Sequence, residues 1–159
     1  MNVYKAYYRS DIGLLEIAGD EKEICRVRFV ENPAEASPEV PPALRDCIEQ
    51  IDEYFQGRRR EFSLNLRLEG TGFQRKVWQE LMKIPFGKTA SYGEIAKAMG
   101  NENAVRAVGQ ANHNNPISII VPCHRIIGRN GDLVGYGGGL WRKKWLLDHE
   151  GRSAGPLRP

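Results

Sequence analysis

The spacing of apolar residues in this chain changes at Glu69-Gly70-Thr71-Gly72, and the change limits what each side can fold into. Before it, Val3 to Tyr8, Gly13 to Ala18 and Ile24 to Val30 are short β-rich runs separated by Ser10-Asp11 and Gly19-Asp20-Glu21. They predict a small antiparallel meander. Four prolines between Pro33 and Pro42 mark a loop, after which Leu44, Ile48, Ile51 and Phe55 recur at helical spacing. Phe62, Leu64, Leu66 and Leu68 alternate with Ser63, Asn65 and Arg67, which predicts one more strand. After the break the signals are helical: Thr71 with Gln74 and Ser91 with Glu94 have the spacing of capping boxes, and Pro85 and Gly100 supply stops. The expected class is α+β, with a sheet-and-helix scaffold over 1–70, a helical domain over 71–151 and a disordered tail over 152–159.

At 159 residues the chain can bury one ordinary core or two small ones. Its net charge of +3 hides a division: residues 1–70 sum to −4 and residues 71–159 to +7. A basic half beside an acidic one suggests that the second half meets a polyanion, for which nucleic acid is the obvious candidate. No apolar run approaches the ~20 residues of a membrane-spanning helix, and Lys5, Arg9 and Asp11 interrupt any signal-peptide pattern. No membrane association is expected, and the expected location is the cytoplasm. The three cysteines are too few for a disulfide framework and lack zinc-site spacing. Cys25 lies in a strand pattern and Cys47 in the apolar stripe of a helix, where both read as core residues. No metal and no cofactor is expected, so a functional cysteine would have to act alone.

From Asn101 to about Asn112, the apolar Ala104, Val105, Val108 and Ala111 share one face, while Arg106, Gln110 and His113 share another. Two short helices joined at Gly100 outline a helix-turn-helix. The small Ala104, Ala107, Gly109 and Ala111 suit close approach, either to a neighbouring helix or to another surface. Arg106 on the polar face favours a phosphate or base partner. Beyond the Asn114-Asn115-Pro116 turn, Ile117 to Val121 reads as a buried strand that delivers Cys123 and His124. Asn130-Gly131 predicts a β-hairpin wing, Gly135 to Gly139 a loop, and Leu140 to His149 a helix with Glu150 at its end and Gly151 as cap.

A thiol near pKa 8.5 needs a base to act as a nucleophile at neutral pH. His124 is the neighbour of Cys123, and Glu150 would orient the histidine if the last helix packs on the site. Adjacency alone is weak support, because successive side chains of an extended segment point to opposite sides.

The segment Pro122-Cys123-His124-Arg125-Ile126-Ile127, with Asn115-Pro116 before it and Gly135-Tyr136 after it, resembles the active-site signature of the O6-alkylguanine-DNA alkyltransferases. Phe73-Gln74, Val77-Trp78, Pro85-Phe86-Gly87, Ser91-Tyr92, Ala104 to Gly109, Trp145-Leu146-Leu147 and His149-Glu150-Gly151 also look like family segments, in family order. The resemblance is strong over residues 71–151. It implies a small N-terminal ribonuclease-H-like antiparallel sheet with a helix, followed by a winged-helix/helix-turn-helix domain. The implied activity is stoichiometric direct DNA repair, in which an alkyl group passes irreversibly from O6 of guanine to Cys123 of a single-turnover enzyme. O4 of thymine is a second implied donor.

By position, the resemblance makes Cys123 the nucleophile and His124 with Glu150 its base relay through a bound water. Asn115 would support the turn presenting the cysteine, and Tyr92 would donate toward guanine N3. Arg106 would enter the duplex from the minor groove as the damaged base flips out. Gln74, Ser91, Ala107, Gly109 and Arg129 are candidate DNA contacts. Val121, Pro122, Tyr136, Gly137 and Gly138 would line the alkylguanine pocket, with glycine at 137 where relatives often carry serine. Some relatives hold zinc in the N-terminal half, but this sequence has no histidine before residue 113. The implied partner is double-stranded DNA containing alkylated guanine, met by a monomer associated with the nucleoid, or in the nucleus of a eukaryote. Rival readings are a winged-helix DNA- or damage-binding protein without transfer, and a Cys-His thiol hydrolase.

Overall fold

A computed structural model describes residues 3–34, 36–128 and 130–153, which fall into two compact units, 1–69 and 70–159. In the first unit, β1 (Tyr4–Ser10), β2 (Gly13–Gly19) and β3 (Ile24–Val30) form an antiparallel sheet of order β1-β2-β3. The expected meander is present. β2 lies in the middle, so Leu14 to Gly19 are all buried. The helix α1 (Pro42–Phe55) packs Leu44, Cys47, Ile51 and Tyr54 into the core, and its first turn accepts Pro42 because the N–H missing there has no helical partner anyway. Cys25 and Cys47 are both buried, as the core reading expects.

The strand expected over Phe62 to Leu68 is not formed. The segment alternates in exposure as a strand would, yet it meets β3 at a single parallel bridge, Ile24 to Leu66. Two backbone hydrogen bonds make that bridge, from Ile24 N–H to the Asn65 carbonyl (2.9 Å) and from Arg67 N–H to the Ile24 carbonyl (2.8 Å). Arg67 pairs by its side chain with Asp20 and Glu23 in the turn before β3. Period two specifies an extended backbone but not a ladder partner.

In the second unit, α2 (Gly72–Leu81) and α3 (Tyr92–Ala98) each begin with a complete capping box, Thr71 with Gln74 and Ser91 with Glu94. Gly100, at φ +78°, makes the left-handed turn after α3 that a side chain would resist. A single 3-10 turn, Glu102–Ala104, leads into α4 (Val105–His113). The pair α3–α4 is the expected helix-turn-helix. On α4, Val108 and Ala111 are buried, but Val105 is 40% exposed and Asn112 is buried in its stead. Trp78 of α2 donates its indole N–H to the Ala111 carbonyl (2.8 Å), tying α2 to α4.

Three local expectations after residue 114 are corrected. Ile117 to Val121 is a series of turns, not a strand, with Ile119 buried at φ +74°. The expected hairpin has its turn, with Gly131 at φ +82° and Gly128 N–H bonded to the Asp132 carbonyl (2.7 Å), but no strand over Leu133-Val134. Instead β5 (Ile126–Ile127) pairs in parallel with β4 (Ala90–Ser91). The last helix, α5 (Leu140–Ser153), runs through Gly151, so that glycine is no cap and Arg152 and Ser153 are helical. The remainder of the expected tail, 154–159, lies outside the described residues. No helix is long and apolar enough to cross a membrane among the described residues.

Candidate active site

Cys123 opens a 3-10 turn, Cys123–Arg125, at the end of the folded-back apolar run. Asn115 holds that run closed. Its Nδ2 donates to the Val121 carbonyl (2.8 Å), and its Oδ1 accepts from Ile117 N–H (2.9 Å). The β-branched Ile119 occupies a backbone region that β-branched residues avoid. Backbone held in so unfavourable a conformation is often found where a fold must aim a reactive group.

Cys123 is 5% exposed. Burial pushes its thiol up, while the Asn115 side chain and the cation of Lys143 pull it down to a smaller extent. The thiol is therefore the resting form at neutral pH, and a base is required.

A candidate base is built around Glu150, which is 1% exposed. One carboxylate oxygen accepts from Nε2 of His124 (2.6 Å), and the guanidinium of Arg125 donates from Nε (2.8 Å) and Nη2 (3.1 Å) to both oxygens. The Gly87 N–H adds a weaker bond (3.3 Å). Burial alone would raise the Glu150 carboxyl, but His124 and Arg125 together hold it well below the usual carboxylate range. A carboxylate can only accept, so Nε2 of His124 carries the proton. The other ring nitrogen, Nδ1, then presents a lone pair; it is buried and has no hydrogen-bond partner among the described residues. Burial pushes the imidazole below its ordinary value, outweighing the pull of Glu150, so it is neutral at pH 7. A neutral imidazole with one free lone pair is a general base.

Arg125 and Lys143 were not singled out from the sequence. Arg125 is buried, with Nη1 on the Ile84 carbonyl (2.7 Å) and its guanidinium 5.8 Å from the centre of the Phe86 ring. A charged residue next to two isoleucines was the available signal. Lys143, fully buried on α5, donates to the Val134 carbonyl (2.6 Å), and burial pushes its pKa down to about 8. With Arg142, which donates to the Gly138 carbonyl (2.9 Å), it ties the glycine loop to α5.

The other predicted residues take varied positions. Tyr92 opens α3 half-buried, its phenol pushed up by burial, and its ring faces Gly109, where an added Cβ would stand 3.7 Å from the ring edge. Val121 and Pro122 are buried beside Cys123, Tyr136 and Gly138 are half-buried, and Gly137 is exposed. A Cβ on Gly137 would meet only the His113 carbonyl at 4.0 Å, leaving room for the serine of relatives. Arg106 and Ala107 are exposed on α4, and Arg106 has no partner among the described residues. Gln74 and Ser91 are half-buried, and their side chains are engaged in the capping boxes. Arg129 lies outside the described residues.

Residues 72–152 match the family described as 6-O-methylguanine DNA methyltransferase, DNA binding domain, and residues 3–68 match 6-O-methylguanine DNA methyltransferase, ribonuclease-like domain. The chain is 50% identical over 149 residues to a methylated-DNA–protein-cysteine methyltransferase of Mycolicibacterium paratuberculosis, covering 91% of this chain and 90% of that one. A protein of the same name from Methanosarcina acetivorans is 46% identical over 156 residues, covering 94% and 99%. The crystal structure of Mycobacterium tuberculosis O6-methylguanine methyltransferase superposes with a TM-score of 0.89 at 44% identity, over 99% of this chain and 97% of that one. A structure of the M. tuberculosis protein in complex with DNA superposes with a TM-score of 0.85 at 46% identity, over 92% of each chain.

Proposed function

This chain belongs to the 6-O-methylguanine DNA methyltransferase family, and from that premise we propose that it repairs DNA directly, taking an alkyl group from O6 of guanine onto Cys123. The observation that carries the reading is the neutral His124, held by Glu150 at Nε2 and unpaired at Nδ1, immediately after a buried cysteine. The thiol proton passes to Nδ1 of His124 through a water, as the resemblance implies. The sulfur then attacks the alkyl carbon in line; the S–C bond forms, the C–O6 bond breaks, and its electron pair leaves with guanine. Tyr92 donates toward N3 and takes up part of that charge. The product thioether has no easy hydrolytic exit, so one chain repairs one base.

Glu150 fixes the imidazole's tautomer and ring plane. The buried Arg125 keeps Glu150 ionised, which leaves His124 free to gain and lose a proton. A guanine O6 in a stacked duplex is out of reach of a buried sulfur, so the base must leave the helix at a cost of a few kcal/mol. Arg106, exposed on the second helix of the helix-turn-helix and without a partner among the described residues, suits the vacated position. The basic second half supplies affinity for phosphate without sequence preference. The protein acts as a monomer on double-stranded DNA.

Incubation with a duplex containing O6-methylguanine should add the mass of one methyl group to the peptide carrying Cys123, at no more than one per chain. An unmodified protein, or product formed beyond one equivalent, would refute the reading. Arg106→Ala should slow repair of the duplex at least tenfold while leaving the reaction with free O6-benzylguanine nearly intact. Equal losses on the two substrates would remove Arg106 from base flipping.

A further inference from the structure

The three-stranded sheet of the first unit has two unlike faces. Tyr8, whose hydroxyl donates to Asp52 of α1 (2.8 Å), marks the face packed on that helix. The register defines the other. Lys5, Tyr7 and Arg9 of β1 stand opposite Ala18, Glu16 and Leu14 of β2, and Ala18 and Glu16 stand opposite Arg26 and Arg28 of β3. Directly opposed residues point to the same side of a sheet. Lys5, Arg9, Arg26 and Arg28 therefore share this face with the single carboxylate of Glu16, a net charge of +3 in the half of the chain that sums to −4.

Glu16, 2% exposed, does not need all four cations. Its Oε1 accepts from Nε of Arg28 (3.2 Å), with Nη2 of the same guanidinium at 3.1 Å, and its Oε2 accepts from the Tyr7 hydroxyl (2.9 Å). Arg26 lies 3.5 Å away through Nη2 and makes no hydrogen bond there, and its Nε has no partner among the described residues. Lys5 and Arg9 have no side-chain hydrogen bond or ion pair among the described residues. The Arg26 and Arg28 side chains are 34% and 54% exposed. Like charges gathered around an already satisfied carboxylate repel one another and weaken the compact state, which an anion on the same face would relieve.

The spread of these cations indicates the kind of anion. Lys5 and Arg26 are two strand spacings apart, about 10 Å, and Arg26 and Arg28 are two residues apart along β3, about 7 Å. One small anion does not span such distances, whereas a chain of phosphates does. We propose that this sheet face is a second phosphate-binding surface, on which Lys5, Arg26 and Arg28 hold the backbone of duplex DNA without reading its bases. It belongs to the first unit, while the helix-turn-helix belongs to the second. A protein that searches undamaged DNA for a rare lesion gains from each further charge contact that ignores sequence. The proposal takes DNA as the partner but does not depend on alkyl transfer.

The test is binding of the full chain to an undamaged duplex, followed by fluorescence anisotropy between about 50 and 200 mM salt. Lys5→Gln/Arg26→Gln removes two charges to which Glu16 is not hydrogen-bonded, so its denaturant midpoint should match that of the native protein. Its binding should be weaker by about threefold or more at the low-salt end, and its slope of log K against log salt shallower by about two. Lys5→Gln alone, which has no side-chain bond to lose, should give about half of that change and serves if the double variant fails to fold. Arg26→Lys keeps the charge and should bind as the native protein does. Glu16→Gln removes the face's negative charge and should bind more tightly with a steeper slope, a gain that loss of structure does not produce. Native affinity and slope in Lys5→Gln/Arg26→Gln, or weaker binding by Glu16→Gln, would overturn the proposal. So would a change confined to self-association in sedimentation, which would assign the face to a second copy of this chain. Failure of the native protein to bind duplex at all would instead overturn DNA as the partner of the whole chain.

Discussion

Cys123→Ser is expected to reduce alkyl transfer at least a thousandfold, below detection by intact mass in a single-turnover assay. A serine hydroxyl in the same turn is far less acidic than a thiol, and its oxygen is a poorer nucleophile toward a saturated carbon. Neither His124 nor Asn115 can make up that difference. Binding to duplex DNA should be retained, because the exposed cations of the second unit remain. Cys25→Ser and Cys47→Ser should keep the stoichiometry of one alkyl group per chain. Both thiols are buried and pushed upward, Cys47 to about 12, and neither is hydrogen-bonded to a base among the described residues. Alkyl transfer to either of these cysteines, or undiminished transfer in Cys123→Ser, would refute the assignment of the acceptor.

Glu150→Ala is expected to have the largest effect on stability, about 3–5 kcal/mol, the usual consequence of leaving one member of a buried ion pair without its partner. Arg125 would remain buried with the Ile84 carbonyl and the Phe86 ring as its polar and ring contacts among the described residues. His124 would lose the acceptor that fixes its tautomer, so transfer should slow by about a hundredfold or more in whatever fraction stays folded. The pH dependence has a definite sign. The Glu150 carboxyl is depressed in the folded state, so its contribution to stability is complete above its ordinary value near 4.5 and is lost as pH falls below it. His124 is also depressed, so it is held neutral when folded and disfavours folding once pH falls below 6.5. Both effects weaken the protein in acid. Denaturant melts between pH 7 and pH 3 should show this loss in the native protein, and the Glu150→Ala variant should lack the carboxylate part of it, which develops below pH 4.5. Identical pH slopes for the two would refute a stabilising role for the ion cluster.

Residues that act through local backbone geometry were legible in the sequence. Thr71 with Gln74 and Ser91 with Glu94 place two helix starts correctly because a capping box is completed within four residues. Gly100 and Gly131 mark positive-φ turns for a similar reason. The three strands of the first unit and the buried stripe of α1 follow from periodicity, and the combination of motifs around Cys123 leads to the family. The failures share one cause. Ile117 to Val121 looks like a strand because buried turns and buried strands are equally apolar, and only the Asn115 clamp distinguishes them. Leu66 and Leu133 lie in apolar runs without obtaining the ladder that would have made those runs strands.

By itself, the sequence determined where the chain changes from sheet to helix, and it singled out the cysteine, histidine and glutamate to which the proposed chemistry is assigned. Each of these depends on neighbours along the chain or on a motif of several residues. The tertiary structure alone decided that Glu150 is shared between His124 and Arg125, that Lys143 is buried with its ammonium on the Val134 carbonyl, and that the Asn112 amide faces the Cys123 carbonyl. Such partners are 9 to 26 residues apart or on different elements, and nothing in local spacing encodes them. A buried polar group must find a partner or remain costly, and only the packed chain determines which partner is within reach.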